Sequence, residues 1–225
     1  MKFRNLKANE IDCRINTINE KGLTLLLYKD ARVDQIILDE EVGEMNWQRK
    51  HTRDNANCIV SIWDSNKCQW IEKEDTGTES FSEAEKGLAS DSFKRACFNW
   101  GIGRELYTAP FIWIAKDKAN IELNKTSGKY VCYDKFKVSE IDYNDNKEIN
   151  KLKIVNDRTQ NVVFDFTLET TQEKQEKLKL FNEISKLANE KKITPDELHD
   201  EFNKNRADMN IEELKKVVKW LKEKK

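Results

Sequence analysis

Two hydrophobic periods alternate along this chain. A three-to-four-residue period predicts helices and a two-residue period predicts strands. Ile11, Ile15 and Ile18 follow the longer period, with acids near the start, and predict a short helix over 8–18. Gly22–Tyr28 is leucine-rich and reads as a strand. Ala31–Val42 carries Val33, Ile36 and Ile37 together with Asp39, Glu40 and Glu41, and reads as a helix that Gly43 ends. Strands follow over 47–53, 58–64 and 68–75, with turn chemistry between them in Asn55-Ala56-Asn57 and Asp64-Ser65-Asn66-Lys67. Ile59, Ser61 and Trp63, then Gln69 and Ile71, alternate with their neighbours as in a half-buried antiparallel sheet.

A longer helix comes next. Ser82-Glu83-Ala84-Glu85 has the form of a capping box. Leu88, Ala89, Ser92, Phe93, Ala96, Cys97 and Trp100 then make one apolar face, and Gly101-Ile102-Gly103-Arg104 stops the pattern. A short strand is predicted over 111–115, a polar loop over 117–129, and a second meander over 135–143, Ile149–Asn156 and Val162–Thr167. The composition changes at Thr170: from Gln172 onward there is no glycine and Lys and Glu abound. Leu178, Phe181, Ile184, Ser185, Leu187 and Ala188 share one helical face. Thr194-Pro195-Asp196-Glu197 and Asn210-Ile211-Glu212-Glu213 start two further helices, the second carrying Leu214, Val217, Val218 and Leu221. The expected fold class is α+β, an antiparallel sheet meander packed on a central amphipathic helix, with a small C-terminal helical module. The expected domains are 1–168 and 172–225.

Charged residues make up 36% and hydrophobic residues 38% of the 225 residues, enough apolar surface for a core in a hydrophilic protein. The formal net charge is −1, so any site for a polyanion must be a local basic patch. The two prolines and seven glycines argue against long disordered linkers. No run approaches the roughly 20 apolar residues of a membrane span, and MKFRNLKANEID lacks the apolar stretch of a secretory signal. A cytoplasmic location, with no membrane partner, is expected.

No catalytic constellation is readable: no nucleophile elbow, no phosphate-cradling loop and no paired-histidine metal site. Asp39, Glu40 and Glu41 point in different directions on a helix and do not converge on a metal. Cys13, Cys58, Cys68, Cys97 and Cys132 form no C-x-x-C pair, His51 and His199 lie far apart, and buried thiols in a reducing compartment are the simpler reading. No cofactor, no metal and no enzymatic activity are therefore expected. His51 reads as a strand-surface residue. The tryptophans read mostly as core, Trp47 among them, while Tyr28 and Tyr107 are ambiguous.

What stands out is a cationic pair, Lys94 and Arg95, on an otherwise apolar helix. Lys86, Ser90 and Lys94 fall at i, i+4 and i+8, along one edge of it. Cations held on a rigid helix suit a polyanion, although most such residues merely cover a solvated face. The stretch 90–107, SDSFKRACFNWGIGRELY, resembles a helix and turn of the Sak-type single-strand DNA annealing proteins of phages, in the superfamily of the eukaryotic annealing protein Rad fifty-two. Lys86, Ser90, Asp91, Lys94, Arg95 and Ala96 match the helix, and Gly101, Gly103, Arg104, Leu106 and Tyr107 match the turn. Residues 28–48, YKDARVDQIILDEEVGEMNWQ, are similar to a second family segment, and Asp75-Thr76-Gly77 to a third, in the family's order.

The resemblance implies ATP-independent binding of single-stranded DNA and annealing of complementary strands in recombination and repair, in a phage or prophage setting. It singles out Arg32, Lys86, Lys94, Arg95 and Arg104 as the DNA-binding residues, in a groove that grips the backbone and presents the bases outward. It implies self-association into a ring or helical homo-oligomer, in the cytoplasm of a bacterial host. A replication or nuclease protein is the partner considered for the C-terminal helices. Arg104 has an alternative role as a structural ion-pair partner. The basic segment QRKHTR after Trp47 offers extra phosphate contacts, Cys97 and Phe98 depart from the family pattern, and the module from Gln172 onward matches nothing specific. Two other readings stay open: a single-strand-binding scaffold that does not anneal, and a protein-interaction module whose basic helix packs on an acidic neighbour.

Overall fold

The computed structural model describes residues 2–78, 84–169 and 171–224. It divides into two compact units, 1–167 and 168–225. The fold is α+β, with antiparallel sheets and a C-terminal helical region.

In the first unit, β1 (Asp12–Ile18), β2 (Gly22–Tyr28) and α1 (Ala31–Val42) are followed by β3 (Trp47–Thr52), β4 (Asn57–Asp64) and β5 (Gln69–Thr76). Then come α2 (Ala84–Trp100), β6 (Ile112–Ala115), β7 (Ile121–Asn124), β8 (Lys129–Cys132), β9 (Phe136–Tyr143), β10 (Ile149–Asn156) and β11 (Val162–Thr167). One sheet has six strands in the order β11-β10-β9-β1-β2-β6, a second is β3-β4-β5, and β7-β8 is a hairpin.

The helix expected over 8–18 is instead a single 3-10 turn, Ala8–Glu10, followed by β1. A bulge explains the misleading spacing. The register against β2 steps from Ile15 opposite Leu25 to Thr17 opposite Thr24, leaving Asn16 as the extra residue. That step keeps Ile18 opposite Leu23, on the buried side, so a strand acquires the three-residue gap of a helix. The polar loop expected over 117–129 also holds structure, the strand β7 and the start of β8. Ile121 is the buried residue of the four-residue β7, so no run of alternation was there to read.

The three-stranded sheet turns one face to α2. Trp47, Arg49 and His51 on β3 lie opposite Ile62, Val60 and Cys58 on β4, and Cys58, Val60 and Ile62 are buried with Phe93, Ala96 and Cys97 of the helix. Trp47 stacks on Phe93 at 6.2 Å, which is the packing role expected of it. The turn from β3 to β4 passes through Arg53, Asp54 and Asn55, all in the left-handed region, which Asn and Asp tolerate best. The capping box expected at Ser82 to Glu85 lies partly outside the described residues.

The second unit holds α3 (Thr171–Glu190), α4 (Pro195–Phe202) and α5 (Ile211–Glu223). Capping boxes at Thr194 and Asn210 start the last two. Its core is Ile184, Met209, Leu214, Val217, Val218 and Leu221. Leu214, Val218 and Leu221 are thus consumed by the module's own packing and offer no exposed ridge to a partner.

Candidate nucleic-acid interface

The site is organised by the start of α1 and by α2. Asp30 caps α1, accepting from the Arg32 backbone N–H at 2.8 Å. The same carboxylate holds the Arg32 guanidinium, with Nε at 3.0 Å and Nη2 at 3.2 Å, while the arginine side chain stays 83% exposed. Hydrogen bonds from Arg32 lower the Asp30 carboxyl below its usual range, and the nearby Lys94 ammonium adds to that shift. Arg32 thus holds the Asp30 carboxylate directly, while the Lys94 charge reaches it only through space.

Flanking Asp30 and Arg32 in sequence are the two partners of a buried ion pair. The Lys29 ammonium donates to both oxygens of Asp34, and both residues are almost wholly out of solvent. Burial pushes the Asp34 carboxyl up to about 6, against the opposing pull of Lys29 and, more weakly, Lys94. The pair explains the glycine in the turn after α2. Gly103 has a φ of +77°, and a Cβ there would sit 2.3 Å from Lys29 Cε.

On α2, Lys86, Ser90, Lys94 and Phe98 run at four-residue intervals. Lys86 is exposed on the first turn and Lys94 is half-buried. Arg95, one residue on, is turned about 100° around the helix. Its Nε lies 3.2 Å from Asp75, which also accepts from Asn99 Nδ2 at 3.2 Å. Asp91 accepts from the Thr78 backbone N–H at 2.9 Å and from its hydroxyl at 3.2 Å, tying the end of β5 to the helix. Gly77 permits that approach, since a Cβ there would lie 2.5 Å from the Ser92 amide nitrogen.

The end of α2 is closed by the Gly-Ile-Gly-Arg turn. The Gly101 N–H donates to Phe98 O at 2.9 Å and the Ile102 N–H to Cys97 O at 3.2 Å, a Schellman pair around a left-handed glycine. Arg104 donates from Nε to Phe98 O at 2.8 Å and from Nη2 to Asn99 O at 2.9 Å, while Lys73 Nζ reaches Asn99 O at 2.8 Å. The structural partners of Arg104 are thus helix carbonyls rather than an acid. The arginine also lines an open cleft of about 380 Å³ with Lys2, Lys147 and Trp100.

Of the five cations singled out by sequence, Arg32 is exposed at the start of α1 with the Lys94 charge reaching its Asp30 partner, Lys86 is exposed on the first turn of α2, Arg95 turns toward the end of β5, and Arg104 sits at the helix terminus. Sequence reasoning missed Lys29 and Asp34, since two charged residues five apart carry no signal of burial. Arg49, in the basic segment after Trp47, packs inward instead, its guanidinium 4.7 Å from the centre of the buried Phe93 ring. Asp39, Glu40 and Glu41 diverge as expected: Asp39 accepts from Trp47 Nε1 at 2.6 Å, Glu40 from Arg4 and Glu41 from the Lys2 backbone. His51, expected on a strand surface, is half-buried on the α2 side of β3, with Nδ1 3.4 Å from the Ser92 hydroxyl. All five cysteines are free, Cys58 and Cys97 being buried and Cys68 exposed. Among the described residues no group of three His, Cys, Asp or Glu side chains could hold a metal, and no helix is long and apolar enough to cross a membrane.

Residues 31–125 match the family model described as the Rad52/22 family double-strand break repair protein. The matched stretch runs from the first turn of α1 past β7 and contains all five singled-out cations. It supports a place for this part of the chain in the Rad52 superfamily. No curated protein and no solved structure matches the chain.

Proposed function

We propose that this protein binds single-stranded DNA and anneals complementary strands in recombination and double-strand break repair, without ATP. The observation that carries the reading is the exposed Arg32 guanidinium at the start of α1 together with Lys94 on α2, whose charge reaches the same Asp30 carboxylate, inside the segment that matches a double-strand break repair family. Single strands are held by fixed cations that track phosphates, and annealing then needs only reduced strand repulsion and exposed pairing edges. Base stacking and pairing supply the free energy, so no nucleotide site is required. The Sak-type motifs at 28–48 and 90–107 favour a phage or prophage protein that self-associates as a ring or helical array.

In this reading residues 1–168 are the annealing core and 172–225 an accessory module. Because Leu214, Val218 and Leu221 are buried within that module, a partner would have to use its charged outer surface or the exposed Leu178. Each compact unit has a hydrophobic core built from its own residues. A fragment ending at Thr171 is therefore expected to fold and to retain DNA binding. Electrophoretic titration of the full chain and the fragment against single- and double-stranded oligonucleotides tests both points. The expected result is preference for the single strand by both proteins. Equal affinity for the duplex argues against the function, and aggregation of the fragment against the division.

A further inference from the structure

We infer that Phe98, Tyr107 and Arg104 form a platform on which an unstacked base of the bound strand stacks. The inference rests on the single-strand reading above and assigns it a base-contacting part. The row Lys86, Ser90, Lys94 on α2 continues one turn further to Phe98, an aromatic residue where another cation would extend the row. The Phe98 ring packs on Tyr107 with centroids 4.8 Å apart and planes inclined at 60°. The Arg104 guanidinium lies 5.4 Å from the centre of the Phe98 ring. Tyr107 nevertheless remains 77% exposed.

A large aromatic side chain that is both exposed and fixed suits a flat, apolar ligand. Fixing comes from three sides. Arg104 is held by the carbonyls of Phe98 and Asn99. Glu105, in the same 3-10 turn as Tyr107, is buried and accepts from the Leu6 backbone N–H at 2.7 Å. Phe98 supports the ring from the helix. Tyr107 therefore loses little freedom on binding, and its uncovered surface is free to stack. Continuity with Lys94 selects the occupant. A strand whose phosphates follow the cation row brings its next bases over Phe98 and Tyr107, and every base has a face that an aromatic ring can accept.

The test is a fluorescence anisotropy titration of the full-length protein with an ordinary single-stranded oligonucleotide and with an abasic one of equal length. Tyr107→Ala is expected to weaken binding of the ordinary strand by about five- to a hundred-fold, the loss of one stacked base. Binding of the abasic strand and the dependence on salt should not change, and Tyr107→Trp should retain wild-type affinity. Equal losses on both strands, or no loss on either, would overturn the platform while leaving the phosphate contacts in place. A fall in assembly mass with no base-dependent loss would assign this face to contacts between copies of the chain, and also overturns it. Wild-type protein that binds neither strand would remove the single-strand reading itself, and the platform with it.

Discussion

Asp34→Ala is expected to destabilise the first unit by roughly 3–5 kcal/mol, because it leaves a buried ammonium without its carboxylate. Lys29 and Asp34 are close to fully buried, and the Lys29 stem packs against the turn at Gly103. Few single changes at the surface of this fold should approach that cost. The paired change Lys29→Met with Asp34→Leu removes both charges and fills a similar volume, so it should recover most of the loss. Urea denaturation of the wild type, the single variant and the double variant measures this directly. A single variant within about 1 kcal/mol of wild type would show that the pair does not hold the turn. The double variant matters for function too. Lys29 and Asp34 flank Arg32 in sequence and Asp34 feels the Lys94 charge, so a stable double variant with altered single-strand affinity would separate folding from binding.

Lys94→Ala is the second change with a large expected effect. Removing one cation that neutralises a phosphate should flatten the log–log dependence of single-strand affinity on salt by about 0.7. Arg95→Ala should weaken binding less, because part of its guanidinium is already engaged with Asp75. The two effects should combine in the double variant. An unchanged affinity and slope in a folded double variant would remove both residues from the interface.

How far the sequence foretold this structure depended on how far each element advertised one period. The bounds of α1 were legible because Val33, Ile36 and Ile37 recur at helical spacing ahead of an acidic last turn, and Gly43 follows, at a φ of 84°. The strands β3 to β5 were legible because turn residues punctuate them. β1 was misread because its bulge imitates helical spacing, and the β7-β8 hairpin because its strands are too short to show alternation. In the site, the cations on α1 and α2 could be named from motif and phase. Their relation could not, since it depends on Asp30 and on a buried pair that reads in sequence as two ordinary charged residues. Arg104 shows the same limit: its place in a motif was visible, its use as a cap on α2 was not. Sequence alone left Leu214, Val218 and Leu221 open between packing within the module and an exposed ridge for a partner, because a helical stripe looks the same in either case.

The most direct test of annealing follows the pairing of two complementary labelled strands by fluorescence transfer, in a buffer with chelator and without nucleotide. The account predicts that the wild-type protein accelerates pairing under these conditions, and that Lys94→Ala slows it while leaving the fold intact. Tight single-strand binding with pairing no faster than for free DNA, or acceleration only when ATP is added, would contradict it.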